Sequence, residues 1–258
     1  MTLDFLEDAV DLHVHSAPDL DRRRFNDIEL AREAARVGMG AILIKSHQNS
    51  TVERAFLVSQ IVPEIRVYGG LVLNETVGGL NPAAVRLAIS MGAKQIWMPT
   101  RSAANHCRHH SLSGGISVLD PNGRLRFLKE MAHSRCILGT GHLSPKESSV
   151  LIARASSLGI QKLLVTHPEW APTYYSVEAQ KELSSQATYS LSAVSYPPPI
   201  VAVLFRLKQS GGQSAMLASA QPCSRQISAN LIRRHRPKGF GCTPSDSTAA
   251  AFPWTTSG

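Results

Sequence analysis

Residues Ala9-Val10-Asp11-Leu12-His13-Val14-His15-Ser16 form the stretch on which the reading of this chain turns. Their alternation predicts a short strand. Successive strand side chains point to opposite faces, so Asp11, His13 and His15 are expected on one side and Leu12 and Val14 on the other. Two neighbouring neutral imidazoles suit a metal ion better than an apolar core. The same spacing also arises when one histidine is a core residue and the next a surface one, so other parts of the chain must arbitrate.

The segments that follow alternate strand and helix. Asn26 or Asp27 caps a helix that Gly38 closes, and Gly40 to Lys45 is a compact apolar run of the kind buried on both faces of a parallel sheet. A helix over 51–62 stops at Pro63, a strand spans 67–73, and Asn81-Pro82 opens a third helix ended by Gly92. Strands are expected at 95–99, 136–140 and 161–166, and helices at 125–133, 144–157 and 177–185. Residues 100–123, with His106, His109, His110 and the turn Asp120-Pro121-Asn122-Gly123, show no periodicity and read as a long loop.

Composition narrows the classes. The 258 residues are 43% hydrophobic, enough for a sizeable core, and contain no apolar run long enough to span a bilayer. The acidic start, Met1 to Asp8, lacks the basic and apolar regions of a secretory signal, which points to the cytoplasm. Cys107, Cys136, Cys223 and Cys242 lie far apart and are expected as free thiols. The net charge of +8 is uneven: residues 187–258 hold seven of the 27 basic and one of the 19 acidic side chains, leaving 20 and 18 in residues 1–186. Basicity thus belongs to the C-terminal segment, and no nucleic-acid-binding motif accompanies it, so specific nucleic-acid recognition is not expected.

Six βα units admit an open doubly wound sheet or a (β/α)8 barrel. No glycine-rich phosphate loop follows the first strand, which counts against the former. Asp11/His13/His15, Lys45/Ser46/His47, Asn74/Glu75, Pro99/Thr100, Thr140/His142 and Thr166/His167 all fall at strand carboxyl ends, where barrel enzymes assemble their sites. The fold expected is α/β, a TIM-type (β/α)8 barrel incomplete or distorted in its last units.

His13 and His15, then His142 in Gly139-Thr140-Gly141-His142, then His167 in Thr166-His167-Pro168-Glu169, resemble in order the metal ligands of the metallo-dependent hydrolases of the amidohydrolase superfamily. Asp11 to Ser16 is also similar to the polymerase-and-histidinol-phosphatase (PHP) phosphoesterases. Ile44 to His47, Gly69 to Asn74, Trp97 to Thr100 and Thr140 to Ser144 look most like a functionally uncharacterised bacterial and archaeal family of that superfamily. The resemblance covers residues 9 to about 186. It implies a barrel in which His13, His15, His142 and His167 hold one or two divalent ions, zinc being the leading choice, with a water that the metal activates.

Further roles follow. Asp11 orients the histidine pair or binds metal, unless it is a structural carboxylate paired with Arg22 or Arg23. Lys45 is a candidate anchor for a substrate anion and His47 an additional ligand or acid/base, against a snorkelling lysine and a loop histidine. Glu75 is the best remaining carboxylate, since Lys94 begins its strand at the wrong end. His106 is within reach of the site, whereas His109 and His110 are expected in solvent.

After about Gln186 the rhythm fails. Pro197-Pro198-Pro199 interrupts the chain, residues 220–258 lack periodicity, and no strand-borne aspartate stands where an eighth strand should end; Asp246 lies in a polar stretch and is not assigned that role. The expected division is a barrel body over 1–186 and an aberrant basic segment over 187–258. A shifted reading frame accounts for that segment better than a divergent, partner-binding extension, because a barrel lacking two strands leaves the edges of the first and sixth unpaired. The function expected is a metal-dependent hydrolase acting on an amide, lactone or related bond of a small molecule, with activity in doubt. A PHP-like phosphoesterase and a non-catalytic metal- or partner-binding protein are the alternatives, and a homo-oligomer is possible.

Overall fold

Short β-branched and leucine-rich runs become parallel strands because both their faces are covered. The computed structural model describes residues 6–119, 125–184, 189–193 and 202–206. Its strands are β1 (Val10–Val14), β2 (Ala41–Ile44), β3 (Arg66–Val72), β4 (Gln95–Trp97), β5 (Ile137–Gly139), β6 (Leu163–Thr166), β7 (Tyr189–Ala193) and β8 (Ala202–Arg206). They form one sheet in sequence order. Each strand from β1 to β7 runs parallel to the next, and β8 returns antiparallel to β7. Helices α1 (Asp27–Arg36), α2 (Val52–Ile61), α3 (Pro82–Ser90), α4 (Ala104–His109), α5 (Leu128–Met131), α6 (Pro145–Ser157) and α7 (Val177–Ser184) fill the crossovers.

The caps act where the residue types predict. Asn26 and Glu29 form a reciprocal capping box on α1, Ser144 and Glu147 form one on α6, and Asn81 with Pro82 starts α3. Each satisfies helix N–H groups that would otherwise lack partners.

Alternation along the strands separates two kinds of core. Ile42 and Ile44 pack outward with Ala31, Ala34, Ala55 and Val58 of α1 and α2. Leu71, Leu73, Ile96, Met98 and Leu138 pack outward in a larger cluster with Val85, Leu128, Leu151 and Ile152. Between them in sequence, Leu43, Val72 and Trp97 form a separate inner cluster joined by Leu12 and Tyr68. Trp97 is fully buried, and the flanking strands make room for it with glycine: a Cβ at Gly139 would lie 2.7 Å from its Cδ1, and one at Gly70 2.7 Å from its Cζ3.

The sheet is strongly curled. β1 and β6 have four strands between them, so in a flat sheet they would stand about 24 Å apart. Yet the ring centroids of His13 and His167 are 4.8 Å apart. The architecture is therefore a TIM-like α/β fold of parallel strands alternating with helices.

Three expectations change. Residues 100–123 are not all loop, since α4 lies within them. The parallel sheet does not stop near residue 186: β7 pairs with β6, so the β6 edge is covered. The departure from a regular (β/α)8 barrel falls in the last units, where distortion was expected: the eighth strand is antiparallel. Strict alternation also fails in β1, where the register with β2 shifts between Asp11 and Val14. Leu12 consequently packs with the inner cluster and Val14 with the outer one. The turn at Asp120–Gly123, the triple proline and Asp246 lie outside the described residues, as do Cys223 and Cys242. Cys107 and Cys136 are buried free thiols. No helix among the described residues is long and apolar enough to cross a membrane.

Candidate metal centre

The carboxyl ends of the strands converge on a pocket of about 430 Å³ lined by His13, His15, Asp21, Arg23, Lys45, His47, Arg101, His106, His110, His142, His167 and Trp170. All four histidines expected as ligands are therefore brought together, with Lys45 and His47 beside them. Rings of His15 and His47 stack at 4.7 Å, and His142 lies 5.7 Å from His167.

Local structure explains these positions. The end of β1 is tied to α1 and α2: the Ser16 hydroxyl donates to Asp27 Oδ1 at 2.5 Å, and Arg54 clasps both Asp27 oxygens at 2.7 Å. His142 follows a tight turn at Gly141, whose φ of +59° and Cβ position 2.4 Å from the Met98 carbonyl exclude a side chain. His167 itself adopts a left-handed φ of +53°, an unfavourable conformation for a non-glycine residue that recurs at functional sites. Its carbonyl accepts from the Thr173 hydroxyl, which helps hold it there.

His47 is held through Nδ1 by Thr100 Oγ1 at 2.8 Å, and the Asn74 amide donates to the same Oγ1 at 2.8 Å. Thr100 Oγ1 can accept from His47 Nδ1–H or give its hydroxyl proton to that nitrogen, according to the ring's tautomer. His142 Nδ1 and His106 Nδ1 are 3.0 Å apart, so one donates to the other.

Lys45 is wholly buried and is not a snorkelling side chain. Its Nζ lies 2.8 Å from His13 Nε2 and 5.3 Å from the Trp97 ring. As an ammonium Lys45 donates to Nε2 and leaves the His13 proton on Nδ1; as a neutral amine it can accept from Nε2–H and leave the Nδ1 lone pair bare. Burial lowers the Lys45 pKa to about 7, helped by the guanidiniums of Arg23 and Arg101. Burial, followed by the charge of Lys45, holds His13, His15 and His142 well below the ordinary imidazole value and brings His167 to about 3. His47 is lowered by the same causes in the same order. These rings are neutral at pH 7, the form in which imidazole binds metal.

What the pocket offers a cation is a set of imidazole nitrogens. Nδ1 of His13, His15 and His167 are buried with no hydrogen-bond partner among the described residues. Such orphans cost about 1–3 kcal/mol each, which a bound cation relieves. Nitrogen donors suit zinc. The side chains as they stand are not closed around one point: among the described residues no group of three or more His, Cys, Asp or Glu is in a ligating arrangement. Lys45 on His13 and His106 on His142 occupy two ring nitrogens, so ligation requires those rings to turn or release their partners.

Asp11 and Glu75 are not in the pocket. The irregularity in β1 separates Asp11 from the histidine face, where its Oδ1 accepts the His13 backbone N–H at 2.8 Å and burial raises its pKa against that bond. Arg23, its alternative partner, binds Asp19 and Asp21 instead. Glu75 is exposed at the start of a 3-10 turn, its N–H donating to Ser102. His109 and His110 are exposed, as expected, and His110 also lines the rim of the pocket, 4.3 Å from His106. Arg101 and Trp170 were not anticipated. Arg101 directly follows Thr100 at a strand end, which was the available signal; Trp170 carries none, since it reaches the site through the turn after His167.

Histidines delivered from successive strand ends of a curled parallel sheet define a TIM-like α/β protein with a polar pocket at its carboxyl face. The chain belongs to a family of unknown function (DUF6282), whose profile matches residues 8–190. No curated protein matches it significantly. Among solved structures it is similar to a candidate deoxyribose-phosphate aldolase from Coccidioides immitis, at 12% identity and a TM-score of 0.38, over 64% of this chain and 60% of that one.

Proposed function

We propose that this protein is a metal-dependent hydrolase of the amidohydrolase type, acting on an amide, lactone or related bond. The observation that carries the reading is the meeting of His13, His15, His142 and His167 in one pocket, with three ring nitrogens buried and unpartnered. The same reading takes the curled sheet as a (β/α)8 barrel altered in its last units.

His13, His15, His142 and His167 would hold a zinc-type ion, which supplies Lewis acidity and a water of lowered pKa. His47, oriented by Thr100, would be the proton-transfer group beside the ion. As a neutral amine, Lys45 would accept from His13 Nε2–H and leave Nδ1 of that ring for the ion. Trp97 below and Trp170 at the wall limit water around the rings, Trp170 lying 4.8 Å from His142 and 5.7 Å from His167.

A substrate panel tests the proposal. Zinc-loaded full-length protein is expected to hydrolyse members of an amide and lactone panel, and His47→Gln to lower kcat about 100-fold or more, within the usual range for acid–base groups. Turnover confined to phosphate esters would replace it with the PHP-type reading. Stoichiometric metal with no turnover on either panel would leave a binding protein.

A further inference from the structure

At the pocket mouth two guanidiniums from distant loops share one carboxylate. Arg23, after β1, donates through Nη2 to Asp21 Oδ2 at 3.0 Å, and Arg101, after β4, donates through Nη2 to the same oxygen. Asp19 lies behind: its wholly buried carboxylate takes Arg23 Nε at 2.8 Å and stands 3.9 Å from His15 Nδ1. Arg23 is thereby anchored from below, independently of Asp21. Asp21 is the only acid among the pocket-lining residues, whereas Arg23, Arg101 and Lys45 are all cations. Its side chain keeps 37% exposure and that of Arg101 44%. A half-exposed ion pair of this kind is weak, so Asp21 can leave for water at little cost. Planar guanidiniums are suited to bidentate capture of carboxylate and phosphate.

We propose that Asp21 holds the place of a substrate oxyanion, and that the substrate carries a carboxylate or phosphate which displaces Asp21 from between Arg23 and Arg101. This rests on the hydrolase reading for its chemistry, but the anion seat is built from residues other than the metal-binding histidines. An anion seated there shares one pocket with the histidines. Asp21 also makes the seat selective. A ligand must take over the ion pairs of an internal carboxylate, which a neutral analogue cannot do.

The test is calorimetric titration of metal-free full-length protein with inorganic phosphate and with succinate, metal uptake being measured separately on the same samples. Asp21→Asn is expected to bind one of the two at least about tenfold more tightly than the wild type, a difference of about 1.4 kcal/mol. Arg101→Gln is expected to weaken that binding at least about tenfold while taking up as much zinc as the wild type. Preference for phosphate or for succinate assigns the group, and either supports the proposal. Binding of neither anion by Asp21→Asn, or undiminished binding by Arg101→Gln, overturns it. Zinc uptake reads the histidines alone, so loss of uptake with anion binding intact would count against the hydrolase reading and not against the anion seat.

Discussion

Lowering the pH should unfold the metal-free protein steeply, because folding forces neutrality on a group of histidines. His13, His15, His47, His142 and His167 have folded pKa values below 6.5, so between pH 6.5 and those values the unfolded chain binds more protons than the folded one. Their contribution is complete above pH 6.5 and is lost as pH falls below it. One such ring loses about 1.4 kcal/mol by pH 5.5, and five together lose up to about 7 kcal/mol, comparable with the 5–15 kcal/mol stability of a typical domain. Lys45 acts in the same direction: with a folded pKa of about 7 against 10.5 unfolded, its penalty is full below pH 7 and relieved as pH rises toward 10.5. Urea unfolding of metal-free protein from pH 9 to 5.5 measures both limbs. His167→Gln should reduce the acid slope by about one proton, and Lys45→Met should flatten the alkaline limb. An acid slope below about 1.4 kcal/mol per pH unit, or one unchanged in His167→Gln, would refute the argument.

Further expectations concern the scaffold. Asp27→Ala, which strands the largely buried Arg54 guanidinium and frees Ser16, should cost about 3 kcal/mol in urea unfolding, whereas Glu33→Ala, which removes an exposed pair with Arg36, should change stability by less than about 1 kcal/mol. Gly70→Ala puts a Cβ 2.3 Å from the Gln95 carbonyl and should destabilise by at least about 1–3 kcal/mol. Zinc at about a thousandfold above its Kd should add about 4 kcal/mol in thermal or urea melts, reversed by chelator; an unchanged melt would oppose a folded-state site.

The strands and caps were legible because each rests on local chemistry: Asn26, Asn81 and Ser144 sit where helix N–H groups need acceptors, and Ile42–Ile44 and Leu163–Val165 are apolar on both faces. The histidine group could be read from its positions at strand ends. Asp11 could not, because a register shift in β1 is set by pairing with β2 and breaks the two-residue alternation. The β7 strand was missed since Tyr-Ser-Leu-Ser-Ala alternates only weakly, and β8 because its apolar run Ala202–Phe205 follows the triple proline, where the alternation of strands and helices had already failed. Arg23, Asp21 and Arg101 meet across 80 positions of sequence, a distance over which no local pattern operates.

The most direct test of the metal centre is zinc K-edge X-ray absorption on full-length protein given one equivalent of zinc and freed of excess by gel filtration. The account predicts one retained ion with at least three imidazole nitrogens at about 2.0–2.1 Å, and fewer in His13→Ala and His167→Ala. Zinc lost on the column, or retained in a shell of oxygen alone that neither substitution alters, would contradict it.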